Sequence, residues 1–323
     1  MAIIGLTLSR LAGPWIIRTL IAMISNKDPL LKEKAFGYAL LLAGIYALVG
    51  VFEFMKSYLT HYAAWNFVSD MRVMVYNHLQ KLSLRFYHDK QTGQLMSRTS
   101  NDTATLETLI AHATPDLIAN VLILAGVSVI LFSINPVLAL LSLSTVPFLA
   151  IAVWVFATKV RPMFRHSQQT LAEFNAALHD NLSGIKEIQV FNQQEREQKK
   201  ITKSSQTYAN AILRALKLSA IYHPSVEFFN NLGMVLVIGV GGYLASMSKI
   251  PIEDIIAFVM YLSMFYQPIS TLGRLNEDMQ NALAGADRIF EILDTEPDVK
   301  EKPNAYKLGR VSGHLVFRNV SFQ

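Results

Sequence analysis

The sequence predicts an all-α membrane protein with six transmembrane helices and long cytosolic helical extensions, on three observations. From Leu117 to Thr158 there is no charged side chain, and only the turn-like Ser133-Ile134-Asn135-Pro136 interrupts the run. Two helices of about twenty residues fit that stretch, each able to cross about 30 Å of hydrocarbon at about 1.5 Å per residue. The 323 residues are 52% apolar and only 16% charged, with positive mean hydropathy, which is more apolar than soluble domains of this length. Apolar runs also alternate with charge-rich ones: segments 25–34, 133–136 and 247–251 hold four Lys, whereas 58–106, 159–219 and 273–323 hold 22 Lys plus Arg. By the positive-inside rule the long segments and both termini are cytosolic.

In chain order the spans fall near 1–24, 35–57, 107–132, 137–158, 220–246 and 252–272. The first is not a signal peptide, because no basic region precedes it, Arg10 and Arg18 interrupt it, and no small-residue cleavage site follows. With Pro14 so close to Met1, it reads as a helix clipped at its cytosolic end. The second span continues outward: Val68, Met71, Val75, Leu79, Leu82 and Phe86 recur at three- and four-residue spacing and paint one apolar stripe. A helix from Ala35 to Leu84 is about 75 Å long, so half of it clears the bilayer. Segment 163–217 repeats the design with mixed charge, descending, turning near Phe191 to Gln198 and returning. The last span runs on to Asp294, completing a membrane domain over 1–294. A linker over 295–312 follows, and 313–323 alternates apolar with polar as a half-buried strand does.

Several chemistries are excluded or unsupported. Zero cysteines remove disulfides, thiolate metal sites and a cysteine nucleophile. The net charge of +5 lies in loops rather than on one basic face, which argues against nucleic acid. The eight His show no i, i+4 pair and no carboxylate cluster of metal-ligand spacing, so no metal site is predicted. No G-x-x-x-x-G-K-[ST] and no local Ser, His, Asp arrangement occurs, and no catalytic residue is identified. Gly239, Gly241 and Gly242 lack the lysine of a phosphate loop and suit close approach of two helices.

Three segments carry a family resemblance. Phe86-Tyr87-His88-Asp89-Lys90-Gln91-Thr92-Gly93-Gln94-Leu95-Met96-Ser97-Arg98, continuing to Asn101-Asp102, resembles the first intracellular loop of ABC exporters. Gly184-Ile185-Lys186-Glu187-Ile188-Gln189-Val190-Phe191 with Glu195-Arg196-Glu197 resembles the second, and Ala286 to Asp294 resembles the end of the sixth helix. The chain is thus similar to the transmembrane domain of a half-transporter of the multidrug and lipid-exporter type. Residues 313–323 resemble the first strand of that family's ATPase domain, and Gln323 comes before any phosphate loop.

The resemblance implies a multi-pass protein of the cytoplasmic membrane that pairs with a second half-transporter, identical or not. ATP and Mg belong to the ATPase domain, and this chain holds no cofactor of its own. It also implies coupling helices that dock on the ATPase domains. These correspond to about Ser97 to Thr103, with Ser97, Arg98, Asn101 and Asp102, and to about Phe191 to Gln198, with Phe191, Glu195 and Arg196. The function implied is ATP-driven export of drugs, lipids or peptides by alternating access. An ATPase-independent channel or secondary transporter, or a regulatory scaffold on the same domain, is the alternative.

A substrate cavity is expected where Met260, Tyr261, Met264, Phe265, Tyr266 and Gln267 gather polarizable and aromatic groups before Pro268. Glu53 and Glu227 lie about 27 and 29 Å along their helices from the opposite membrane face, at a depth where an acid faces an interior, a partner or water. Glu53 has Lys56 one turn away as a competing partner, whereas Glu227 has no basic residue within a turn. Glu227 with Phe228, Tyr261, Met264 and Phe265 is therefore expected to line a site for cationic or zwitterionic amphiphiles.

Overall fold

The structure is a computed structural model that describes all residues except 89, 299–303, 307–308, 311 and 322–323, and leaves the side chains at 270, 272–274 and 276–277 undescribed. Helix α1, Ala2–Ser25, is followed by a tight turn in which Lys27 takes a positive φ of 51°. In that turn Asp28 Oδ1 accepts from Leu30 N at 2.8 Å. Helix α2, Leu31–Leu79, is unbroken over 49 residues, about 74 Å at the helical rise. The predicted stripe is its buried face, with Val68, Met71, Val75 and Leu79 all covered, and Leu82 just beyond.

Beyond α2 the chain reverses by way of a short α3, Leu84–His88. It then returns as one rod made of α4, Thr92–Ser97, a π-helical turn, Arg98–Asp102, α5, Thr103–Glu107, a second π turn, Thr108–Ala113, and α6, Thr114–Ile134. The turn legible in the sequence closes this rod: the Asn135 side chain accepts from Val137 N and Leu138 N, both at 3.0 Å, and Pro136 takes the first helical position. A second rod follows as α7, Pro136–Leu143, α8, Val146–Val155, a third π turn, Phe156–Val160, and α9, Arg161–Ser183. Helix α10, Ile185–Val190, ends in a turn where Asn192 has φ 54°. Helix α11, Gln194–Ser246, and α12, Ile252–Leu293, complete the set. Pro224 and Pro268 sit inside them without ending either helix, as neighbouring helices in a membrane permit.

Among the described residues, five segments are long and apolar enough to cross a membrane: Leu31–Leu79, Thr92–Ile134, Pro136–Ser183, Gln194–Ser246 and Ile252–Ile269. The sixth, α1, has crossing length, but Arg10 and Arg18 lower its apolarity, and each is paired. Arg10 reaches Glu53 at 2.7 Å and Arg18 reaches Asp254 at 2.6 Å. The protein is a multi-pass membrane protein of all-α class. Its apolar centre gathers Val127, Leu131, Leu138, Val237, Phe258 and Leu262 from α6, α7, α11 and α12.

Two expectations change here. Of the three clustered glycines, Gly241 meets another helix: a Cβ there would stand 3.2 Å from Ile255, while at Gly239 and Gly242 none would meet anything among the described residues. The tail 312–321 forms no strand, and Leu315, Val316, Phe317 and Val320 are exposed. A strand needs a hydrogen-bonding neighbour, and none lies beside these residues among those described.

Candidate coupling and translocation sites

Beyond the apolar zone three helices pack around a second small core. Met71, Val75 and Leu79 come from α2, Leu95 and Leu106 from the returning rod, and Ile289 and Ile292 from α12. Covering one aliphatic side chain of this kind is worth about 1.5–3 kcal/mol, so the stripe sets which face of α2 turns inward.

Charge then fixes the register. Asp102 accepts twice from Arg288, at 2.7 Å to Nε and 2.7 Å to Nη2, and Arg98 reaches Glu291 at 2.8 Å. The fork-to-fork carboxylate holds the Arg288 guanidinium more firmly in its charged form, principally through these hydrogen bonds. Thr105 Oγ1 donates to the Asp102 carbonyl at 2.7 Å. Gly285 of α12 lies directly against both, since a Cβ there would collide with Thr105 Oγ1. Below the junction, His78 Nε2 lies 2.9 Å from the Thr295 carbonyl, and Ser83 Oγ donates to Asp298 at 2.6 Å.

This geometry divides the first predicted docking segment. Ser97 and Asn101 are exposed and touch each other, but Asp102 is buried and Arg98 is turned to α12. Ser97 to Thr103 lies on the returning rod, and α3 lies at the tip of the hairpin. The second segment lies at the turn between α10 and α11: Phe191 is 71% exposed, Arg196 is exposed, and Glu195 pairs with Lys199 one turn on, at 2.7 Å.

The residues of the predicted cavity wall fall in two places. Tyr261 is fully buried and donates to the Leu11 carbonyl at 2.7 Å, Phe265 is in the core, and Met264 packs on it. These groups join α12 to its neighbours within the chain, while Glu227 and Phe228 are exposed on α11 and do not meet them. Glu53 is taken by Arg10 rather than Lys56, which instead reaches Asp116 at 2.7 Å. An open apolar cleft of about 470 Å³ lies between α8, α9 and α11, lined by Phe148, Ile151, Val155, Leu218, Tyr222 and Phe229. Intrahelical spacing could not reveal these inter-helix pairings, because it scores only neighbours on the same helix.

Tyr266 sits at a close helix crossing. Its hydroxyl lies 3.0 Å from Thr145 Oγ1 and 3.1 Å from the Ser142 carbonyl, and a Cβ at Gly233 would collide with it. Gly233→Ala is expected to lower stability by about 1–3 kcal/mol in a detergent-unfolding titration, and Tyr266→Phe in the same chain should recover part of the loss by removing the colliding oxygen.

One cluster departs from the expected absence of metal-ligand groupings. His61 Nδ1 lies 2.8 Å from Glu107 Oε1 and His112 Nε2 lies 3.9 Å from the same oxygen, with the ligand atoms all within 4.8 Å of one another.

Long helical rods that cross an apolar zone, continue well beyond it as two hairpins, and tie the first hairpin to the end of the last helix define a membrane transport domain of the ABC type. The family model described as the ABC transporter transmembrane region matches residues 1–269, and the chain belongs to that family. It is 30% identical to an uncharacterized ABC transporter ATP-binding protein of Bacillus subtilis, over 87% of this chain and 47% of the relative. An ATP-dependent lipid A-core flippase of Dechloromonas aromatica is also 30% identical, over 88% of this chain and 48% of its own length. A putative multidrug export ATP-binding/permease protein of B. subtilis is 26% identical, over 97% and 55%. The chain spans about half the length of the curated relatives it matches.

Proposed function

We propose that this chain is the membrane half of an ATP-driven exporter that moves amphiphilic substrates, lipids or drugs, by alternating access. The observation that carries the reading is the three-helix junction, in which Asp102–Arg288 and Arg98–Glu291 bind the first hairpin to the end of α12. Movement imposed at the hairpin tip is thereby passed to α12 as one body, as a lever requires. The names of the relatives, lipid A-core flippase and multidrug export protein, support the amphiphile class.

On this reading the hairpins and both termini are cytosolic in the cytoplasmic membrane, and two half-transporters enclose the pathway. ATP and Mg bind an ATPase domain outside this chain, which itself hydrolyses nothing. Glu227 and Phe228, exposed on α11, face the space that a second half-transporter closes, next to the α8–α11 cleft. Glu227→Gln should weaken stimulation of ATPase activity by cationic amphiphiles more than by neutral ones. Equal effects on both classes would remove Glu227 from the site.

The test of coupling uses the chain joined to its ATPase domain in lipid vesicles. Phe191→Ala, at an exposed tip, should cut substrate moved per ATP hydrolysed by about tenfold while insertion is unchanged, because an apolar anchor at a docking surface carries a disproportionate share of its binding energy. Parental transport per ATP in that variant would exclude the second tip as a docking point.

A further inference from the structure

We propose that His61, Glu107 and His112 bind one divalent transition-metal ion of the Zn²⁺ class, joining α2 to the returning rod at the point where the first hairpin leaves the apolar zone. The local backbone is what assembles the set. Five residues along an α-helix point about 140° apart. The π turn Thr108–Ala113, which closes on the fifth residue, brings His112 back over Glu107 at the end of α5. His61 enters from α2, and the two imidazoles meet edge to face with centroids 4.9 Å apart.

The donor set points to the ion. Two imidazoles and one carboxylate make a three-ligand zinc set whose fourth position is left to water, whereas magnesium and calcium take oxygen donors. With the ligand atoms within 4.8 Å of one another, a small inward movement reaches zinc–ligand distances of about 2.0–2.2 Å. Exposure is graded as a loading site requires: the Glu107 side chain is 16% exposed and His112 is 53% exposed, giving a covered anchor with an open approach. Asp116, one turn beyond His112, is held by Lys56 at 2.7 Å, so it serves that ion pair rather than the fourth position. A bound ion would pin α2 to the rod at the root of the hairpin and limit their relative movement.

The decisive experiment titrates the purified chain in lipid nanodiscs with Zn²⁺ against a chromophoric chelator. The expected result is one ion per chain that excess Mg²⁺ does not displace, with X-ray absorption reporting two imidazole nitrogens and a carboxylate oxygen at about 2.0–2.2 Å. His61→Ala, Glu107→Gln and His112→Ala should each weaken binding by at least about tenfold. His166→Ala and His179→Ala should leave it unchanged. His112→Gln changes a half-exposed ring outside the core and tests the site should a bulkier loss impair insertion. Zinc should also slow hydrogen exchange in both arms in the parent and not in this variant. No binding by the parent, or parental binding in the His61→Ala, His112→Ala double variant, would overturn the proposal.

Discussion

Ile289→Ala is expected to destabilise the packing of α12 against the first hairpin by about 2–5 kcal/mol. Ile289 is fully buried in the cluster that also holds Met71, Val75 and Leu106, so truncation removes covered methyl groups and leaves a void that three stiff helices cannot close. Hydrogen exchange of the amides around 286–293 should accelerate by about 30-fold or more if that end opens locally, since each 1.4 kcal/mol is a factor of ten. The neighbouring Phe290 is 52% exposed, and Phe290→Ala should change exchange by less than about threefold. Similar effects at both positions would mean that burial at this junction does not hold α12 in place.

Arg288→Ala should cost about 2 kcal/mol at the same junction, through loss of two charge-assisted hydrogen bonds and an unpaired Asp102. The guanidinium side chain is 44% exposed, so screening keeps the effect below that of a fully buried pair. Arg288→Lys should recover only part of it, because an ammonium cannot span both carboxylate oxygens. A double-mutant cycle with Asp102→Asn is expected to return most of the loss as coupling between the two residues. Additive losses would show that the pair is not the latch.

Much of the architecture was legible. The uncharged run with its Asn135-Pro136 break read as two helices because a membrane leaves the backbone no other way to satisfy its polar groups. The stripe from Val68 to Leu79 read as a buried face because helical periodicity maps directly onto one side of a rod, whereas the predicted continuation to Phe86 crosses the end of α2 and falls on α3. The tip at Phe191 was legible through the shift to mixed charge and the break at Gly184. Legibility failed wherever a side chain had two possible partners. Arg98 and Asp102 had the composition of a surface tip, but the π turn Arg98–Asp102 and the small Gly285 bring α12 onto them. Tyr261 and Phe265 resembled a ligand surface, and tight helix packing took them as core.

The sequence by itself determined that the chain is helical, membrane-crossing and extended beyond the apolar zone, because hydropathy and periodicity act within a single helix. Only the tertiary structure decided that Glu53 belongs to Arg10, Asp102 to Arg288 and His61 to Glu107 and His112. Those pairings depend on the rotation and offset of one rod against another, which close packing and π turns set over long separations in the chain, and no local pattern records them.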